Sequence, residues 1–331
     1  MKLATLKEGG RDGTLVVVSP DMTRAVRATG VAATMQAALD DWDRVGPILH
    51  VLSDRLAAGP VEREFPFNPT IALAPLPRAY QFLDGSAYYH HMSVVRAARG
   101  AKVPDDFFQV PLMYQGVSDP MLGPVAPLRL TEDDGLGIDL EAEVVIITGD
   151  VPMGVSAEEA PRYVRLITLL NDYSLRGVIP PELARGFGFL QGKCISSMAP
   201  VAVTPDELGA AWDGRLLSGR YLVEVNGKRL GELEPGQDAT FNYAQLIAHA
   251  ARTRELRAGT VIGAGALANA DHERYGSGCI AEERAHEQLK HGAASMPYLR
   301  FGDRVRMEMF GSDGRSLFGA IDQKIERYHR P

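Results

Sequence analysis

Apolar and polar residues recur with two different periods in the opening part of the chain. Residues 13–18 and 24–28 predict two strands joined by a turn at Pro20-Asp21. Between residues 33 and 58 apolar residues recur at helical spacing, so this stretch predicts helix, and we expect Pro47 to break it in two. Gly59-Pro60 should end the second helix.

A proline-rich stretch follows this first unit. The stretch that begins at Pro60 and ends at Pro77 contains five prolines, which suggests a linker, and its last residues, 74–77, cannot be helix and are a poor central strand. We therefore expect two domains, a small N-terminal α+β domain over residues 1–72 and a larger domain over residues 73–331.

Short strands dominate the pattern of the larger domain, and Asn226-Gly227 gives a strong hairpin signal. Strands are predicted at 143–148, 221–225, 260–262, 304–310 and 316–321. Helical spacing is confined to about 157–167, 241–253 and 281–291. Many strands with few, unevenly spaced helices predict a mixed, β-rich α+β fold rather than a regular βαβ array.

Composition and charge exclude several classes of partner. Apolar residues make up 45% of the chain, which is ordinary for a protein with a sizeable core. The net charge is −7 without a basic stripe, so nucleic acid is not an expected partner. Only Cys194 and Cys279 are present, at no metal-finger spacing, which favours a reduced, cytoplasmic protein. No signal peptide or membrane span is predicted.

Acidic residues alternate just before an apolar run. If a strand begins near Asp139, then Asp139, Glu141 and Glu143 share one face. Carboxylates so placed repel one another unless a hard cation neutralises them. The alternative is the solvated start of an edge strand. A further carboxylate, Asp172, follows the apolar run 166–171 and needs a partner, for which Arg176 is a candidate; a helix or strand cap is the alternative.

Two adjacent histidines, His90 and His91, are the candidate bases, because imidazole titrates near neutral pH. Adjacent side chains seldom bind one ion, and neither a cysteine nor an HExxH motif accompanies them, so no zinc site is predicted. The alternative is a pair of surface histidines.

Six blocks of the chain form a pattern: 84–91, 111–116, 139–143, 171–176, 192–193 and 279–282. Taken in this order, they resemble the bacterial type of the fumarylacetoacetate hydrolase family. The N-terminal segment is also similar to that of this family. The resemblance implies a β-roll catalytic domain and a homodimer.

The resemblance also implies a divalent cation, with Mg²⁺ expected first and Ca²⁺ or Mn²⁺ as alternatives. Its ligands would be Asp84, Glu141, Glu143 and Asp172. His91 would activate a water, oriented by Glu282, with the adjacent Glu283 as the alternative. Arg176 and Lys193 would stabilise the oxyanion.

For substrate contacts the resemblance implies Tyr114 and Arg99, with Arg96 competing for the role of Arg99. Ala266 stands where the family usually has a threonine hydroxyl, and Ser197 is a candidate support for the metal site. We therefore expect a substrate other than fumarylacetoacetate itself.

The expected activity is metal-dependent hydrolysis of a carbon–carbon bond in a β-diketo or acylpyruvate-type acid. Two alternatives stay open from the sequence. One is decarboxylation of a β-keto acid such as oxaloacetate, and the other is a non-catalytic protein with an altered substrate site.

Overall fold

Strands account for most of the regular structure in the computed structural model, which describes residues 1–330. In chain order the strands are β1 (Lys2–Leu6), β2 (Thr14–Val18), β3 (Arg24–Arg27), β4 (Phe65–Pro66), β5 (Gln81–Gly85), β6 (Met113–Gln115), β7 (Met121–Leu122), β8 (Leu128–Leu130), β9 (Ile138–Asp139), β10 (Ala142–Thr148), β11 (Val164–Leu175), β12 (Lys193–Met198), β13 (Val201–Val203), β14 (Arg220–Val225), β15 (Lys228–Leu233), β16 (Thr260–Gly263), β17 (Arg304–Phe310) and β18 (Ile321–Arg327). The α-helices are α1 (Met35–Leu39), α2 (Trp42–Ala58), α3 (Tyr89–Ala97), α4 (Ile179–Ala184), α5 (Tyr243–Ala250), α6 (His272–Tyr275) and α7 (Ile280–His291). The predicted β-rich α+β class is confirmed.

One large mixed sheet forms the centre of the molecule. Strand β10 lies between β11 and β16 and pairs antiparallel with both, while β16 runs parallel to β5. Every residue of β10 is buried, as its continuous β-branched run predicts for a strand covered on both faces. The carboxylates described below lie at one end of these central strands.

The N-terminal strands extend the same sheet. Strand β1 pairs antiparallel with β2 on one side and with β13 on the other, where Leu3 lies opposite Ala202. Strands β3 and β4 continue the sheet outward. Hydrogen bonds therefore join the N-terminal unit to the rest of the chain across this pairing, and a boundary between residues 72 and 73 stays a prediction.

A second sheet of five strands contains the predicted hairpin. Its order is β15-β14-β17-β18-β8. Asn226 and Gly227 have positive φ angles of 53° and 73°, which the tight turn between β14 and β15 requires. Along β17, buried and half-exposed residues alternate as predicted. The prediction of a strand at 316–321 is wrong, because the final strand, β18, begins only at Ile321.

Two helix predictions need correction. The break between α1 and α2 falls at Asp40-Asp41, and Pro47 lies inside α2 on its exposed face. Water can reach the carbonyl that Pro47 leaves without a donor there, so the helix continues. The helix predicted at 157–167 is wrong: this stretch contains a 3₁₀ turn, Ala160–Tyr163, followed directly by β11. The apolar residues at its end are buried in the central sheet as part of β11. Among the helices of residues 1–330, none has the length and apolar content that a membrane crossing needs.

Candidate active site

Four carboxylates that the sequence predicts as metal ligands converge in the central sheet. Asp84 lies on β5, Glu141 directly precedes β10, Glu143 lies near the start of β10, and Asp172 lies on β11. One oxygen from each lies within 4.8 Å of the others, and all four residues are buried. The interpretation of this stretch as a solvated edge strand is therefore wrong, and so is the interpretation of Asp172 as a cap.

Asp139 lies on β9, and its pairing with Ser174 continues the register in which Ala142 lies opposite Asn171. Arg176 contacts both Asp139 and Glu141, in agreement with the predicted alternation, but Asp139 is not one of the four converging carboxylates. The Asp139 carboxylate instead accepts hydrogen bonds from the backbone N–H groups of Ile280 (2.8 Å) and Ala281 (3.0 Å). It therefore caps the N-terminus of α7, where a negative charge is favourable.

Two buried cations neutralise part of the acidic cluster. Lys193 Nζ lies 2.7 Å from both Glu141 Oε2 and Asp172 Oδ2. Arg176 donates to Asp139 (2.8 Å) and to Glu141 (2.6 Å), so the expected pairing of Arg176 with Asp172 is wrong. Burial alone would raise the pKa of Glu141, but Lys193 and Arg176 hold it at about 2.

Glu143 has no such partner. Both of its carboxylate oxygens are buried, and no hydrogen-bond donor reaches them from residues 1–330. Burial, together with Asp84 and Asp172, raises the pKa of Glu143 well above its usual range. Burial and the charge of Asp172 also raise the pKa of Asp84, to about 7. A buried carboxylate without a partner is costly, and four oxygen donors around one point suit a hard divalent cation. The residues present therefore fit such an ion.

The predicted base and its orienting carboxylate are hydrogen-bonded. His91 lies on α3, and its Nδ1 is 2.9 Å from Oε2 of Glu282 on α7. A carboxylate at Nδ1 fixes the proton there, so Nε2 is the nitrogen left for a water. The other candidate, Glu283, accepts instead from His272 at 2.8 Å and from the hydroxyl of Ser277 at 3.0 Å. The geometry therefore selects Glu282.

These groups face a cavity of about 430 Å³. The predicted site residues that line it are Asp84, His91, Arg99, Tyr114, Glu141, Arg176, Lys193 and Ala266. The other predicted site residues lie behind this lining. Glu143 and Asp172 group with the lining carboxylates Asp84 and Glu141, and Glu282 contacts His91. The rest of the wall is mainly apolar and includes Met92, Val95, Met113, Ile179, Leu183 and Phe189. Arg96, the competitor of Arg99, also lines the cavity, so geometry does not separate the two.

Tyr114 and Ser196 support the carboxylates. The hydroxyl of Tyr114 lies 2.8 Å from Asp84 and 3.0 Å from Asp172, and Ser196 donates to Asp172 at 2.7 Å. The sequence prediction named Ser197 for this role, which is wrong, because Ser197 donates to Gln323. Ser196 lies opposite Asp172 in the β11–β12 register, and only that register distinguishes the two serines.

Family models match nearly the whole described chain. Residues 1–78 match "Fumarylacetoacetase N-terminal domain 2", and residues 81–326 match "Fumarylacetoacetate (FAA) hydrolase C-terminal". The chain belongs to the fumarylacetoacetate hydrolase family. This confirms the resemblance found in the sequence. Enzymes acting on small acids with a divalent cation are typical of this family, and the buried acidic cluster agrees with that.

Solved structures share the family fold over the full chain. A protein assigned as HpcE from Mycobacterium smegmatis is 21% identical, with 99% of this chain and 100% of that chain covered and a TM-score of 0.70. Fumarylacetoacetate hydrolase from Exiguobacterium antarcticum is 18% identical, with coverage of 99% and 100% and a TM-score of 0.66. Maleylpyruvate hydrolase from Sphingobium sp. SYK-6, in complex with manganese(II) and pyruvate, is 16% identical, with the same coverage and a TM-score of 0.65. At these identities the likeness shows the fold alone. A search of curated proteins finds no match.

Proposed function

We propose that the protein is a metal-dependent hydrolase that cleaves a carbon–carbon bond in a β-diketo or acylpyruvate-type acid. One juxtaposition carries the proposal: the unpartnered carboxylate of Glu143 and the hydrogen-bonded pair His91–Glu282 belong to the same site. The Glu143 carboxylate would be a ligand of a cation, and the His91–Glu282 pair would deprotonate a water molecule. The manganese and pyruvate bound by the maleylpyruvate hydrolase of this fold support the same class of chemistry.

The carboxylates of Asp84, Glu141, Glu143 and Asp172 would hold the cation. When bound, a divalent cation supplies Lewis acidity to the oxygens of a dicarbonyl acid. Mg²⁺ is the first candidate, with Mn²⁺ and Ca²⁺ as alternatives, because all three prefer oxygen ligands.

The water chemistry rests on His91. Its Nε2 takes a proton from water, while the Glu282 carboxylate holds the Nδ1 proton and stabilises the imidazolium that forms. The resulting hydroxide attacks the acyl carbonyl carbon, and the positive charges of Arg176 and Lys193 stabilise the oxyanion. The carbon–carbon bond then breaks, its electron pair stays with the departing carbon, and a proton returns to that carbon. The products are a carboxylic acid and a 2-oxo acid.

One residue of the cavity wall, Ala266, affects which acid the protein would accept as substrate. Ala266 lines the cavity and offers no hydroxyl to a substrate oxygen. A substrate group that needs a hydrogen bond at this position would lose about 1–3 kcal/mol of interaction. We therefore propose a substrate other than fumarylacetoacetate, with Tyr114 and Arg99 among its contacts. A homodimer is also part of the proposal, and light scattering in solution would test it.

The decisive assay is a panel of acylpyruvates, fumarylacetoacetate and oxaloacetate, each with EDTA, Mg²⁺ or Mn²⁺. The proposal expects metal-dependent release of a 2-oxo acid from an acylpyruvate. Carbon dioxide release from oxaloacetate alone would favour the decarboxylase instead. Inactivity toward the whole panel, together with no heat of Mg²⁺ or Mn²⁺ binding in calorimetry, would favour a non-catalytic protein.

A further inference from the structure

A second group of metal-binding side chains lies directly behind the base. It consists of His91, Cys279 and Glu282, each offering one ligand atom within 4.8 Å of the others. The family resemblance pairs His91 with Glu282, but nothing in the sequence predicts that Cys279, which is 188 residues from His91, joins them. Cys279 is fully buried and occupies the N-cap of α7, so its sulfur faces the start of that helix. In the folded protein a cysteine therefore lies beside His91, although no cysteine is near the two histidines in the sequence.

The donor types of this group differ from those of the carboxylate cluster. A thiolate, an imidazole and a carboxylate are the ligands that Zn²⁺ takes in proteins, whereas four carboxylates suit harder ions. Two negative charges from Cys279 and Glu282 would balance the charge of the ion. Burial and the carboxylate of Asp139 raise the pKa of the Cys279 thiol, so an ion that binds there must displace the thiol proton. The two groups therefore select different metals.

The distances suit a tetrahedral ion. Cys279 Sγ lies 4.0 Å from His91 Nδ1, and Nδ1 lies 2.9 Å from Glu282 Oε2. Normal zinc–ligand bond lengths place such donor pairs about 3.4–3.6 Å apart. The sulfur–nitrogen distance is longer than this range, and the nitrogen–oxygen distance is shorter. Side-chain movements much smaller than a covalent bond length would bring all three donor atoms to the required spacing. His91 lines the catalytic cavity, which gives an ion a route inward.

We propose that His91, Cys279 and Glu282 form an inhibitory site for Zn²⁺ or a similar thiophilic ion, separate from the carboxylate cluster. An ion there occupies Nδ1 of His91 and the carboxylate that orients it. The base then loses its partner, so hydrolysis stops while the carboxylate cluster keeps its own cation. The inhibitory effect rests on the proposed hydrolase function, but the binding of the ion does not.

Cobalt(II) tests the binding without any substrate, because a thiolate bound to Co²⁺ gives a near-ultraviolet charge-transfer band that carboxylates do not. The chain offers a matched control, since Cys194 is its other cysteine. We expect the band in the parent protein and in Cys194→Ser, and its loss in Cys279→Ser. Absence of the band, or its loss in Cys194→Ser instead, would overturn the site.

A second variant keeps this test independent of the folding of Cys279→Ser. Glu282→Gln retains the thiolate and removes a charged ligand. The Co²⁺ concentration at half of the band should rise more than about tenfold, because even the loss of a group that only supports a ligand costs 10–100-fold in affinity. An unchanged titration would contradict the proposal.

The inhibitory effect is measured on the protein saturated with Mg²⁺, with Zn²⁺ added. In Cys279→Ser, judged against its own rate without zinc, half-inhibition should need more than about ten times the zinc that Cys194→Ser needs. Equal inhibition of the two variants would mean that zinc acts at the carboxylate cluster, which would overturn the inhibitory role. If no substrate of the panel is turned over, the proposed function fails, and the cobalt band still decides the metal site.

Discussion

Glu282 and Glu283 are adjacent on α7, yet their carboxylates bind two different histidines. Glu282 is 1% exposed and contacts His91, which lies on α3 and lines the cavity. Glu283 is half-buried and contacts His272, which lies at the start of α6. The pair offers a matched comparison in which one helix position carries the proposed chemistry and the next does not.

Replacing these two glutamates should therefore give very different results. Glu282→Gln removes the charge that supports the imidazolium of His91, so kcat should fall by about 10²-fold or more. Glu283→Gln should keep kcat within a few-fold of the parent. Steady-state kinetics on the best substrate of the panel measures both. Similar losses in the two variants would mean that α7 contributes structure rather than a specific base.

His91→Ala separates hydrolysis from decarboxylation. Hydrolysis needs a base to form hydroxide, so the variant should lose about 10²–10⁴-fold in rate. Decarboxylation of oxaloacetate needs no activated water and should be spared. His90→Ala is the matched control, because the ring of His90 packs against Tyr89 instead of contacting Glu282. Equal loss of both reactions in His91→Ala would argue that the histidine positions substrate.

The stability of the metal-free protein should depend on pH in a defined direction. In the folded protein the pKa of Asp84 is about 7, raised from an ordinary value of 3.8 by burial and by Asp172. An acid whose folded pKa is raised destabilises the fold increasingly as the pH rises through that window. The pKa of Glu143 is shifted in the same direction. The EDTA-treated protein should therefore lose stability between about pH 4 and pH 7.

A divalent cation should reverse this loss. Mn²⁺ should raise Tm more at about pH 8 than at about pH 5, because protons compete with the cation for Asp84 and Glu143 at the lower pH. Scanning calorimetry with Mn²⁺ or EDTA at both pH values measures the difference. In Glu143→Gln the effect of Mn²⁺ should be much smaller. An equal rise in Tm at both pH values would argue against these carboxylates as the ligands.

Arg176 should contribute strongly to the stability of the fold. It connects Asp139, which caps α7, with Glu141 of the acidic cluster, and all three side chains are largely withdrawn from solvent. Arg176→Met leaves two buried carboxylates without this partner and should lower the free energy of unfolding by about 3–5 kcal/mol. Urea denaturation measures the change. Arg129→Met, which breaks an exposed pair with Glu326, is the control and should change stability little.

Ala266 should influence which acid is turned over. Ala266→Thr restores a hydroxyl at the cavity wall, and kcat/KM for fumarylacetoacetate should rise by about tenfold relative to the best acylpyruvate. The buried Ala268 belongs to the hydrophobic core outside the cavity lining, so Ala268→Ser should leave the ratio unchanged. Ordinary turnover of fumarylacetoacetate by the parent protein, with no gain in Ala266→Thr, would contradict the role given to this methyl group.

The sequence predicted the members of the site better than their contacts. Alternation placed Glu141 and Glu143 on one face correctly, because period two holds wherever a strand is regular. It could not show that Asp139 caps α7 instead of joining the four converging carboxylates, because α7 is distant from Asp139 in the chain. The choice between Ser196 and Ser197 depends on the register of β12 against β11, which no local pattern encodes. Contacts such as Cys279 with His91 arise only when helices distant in the chain pack together.

The shared hydrogen bonds between β1 and β13 restrict how this protein can be recombined. A chimera that takes its first unit from another family member must preserve the pairing of Leu3 with Ala202, because a slip of one residue turns every β1 side chain to the other face. Removing the unit altogether would expose the backbone donors and acceptors of β13 as an open edge, which invites aggregation. The pairing of β1 with β13 therefore favours keeping the N-terminal unit and the rest of the chain from the same parent protein.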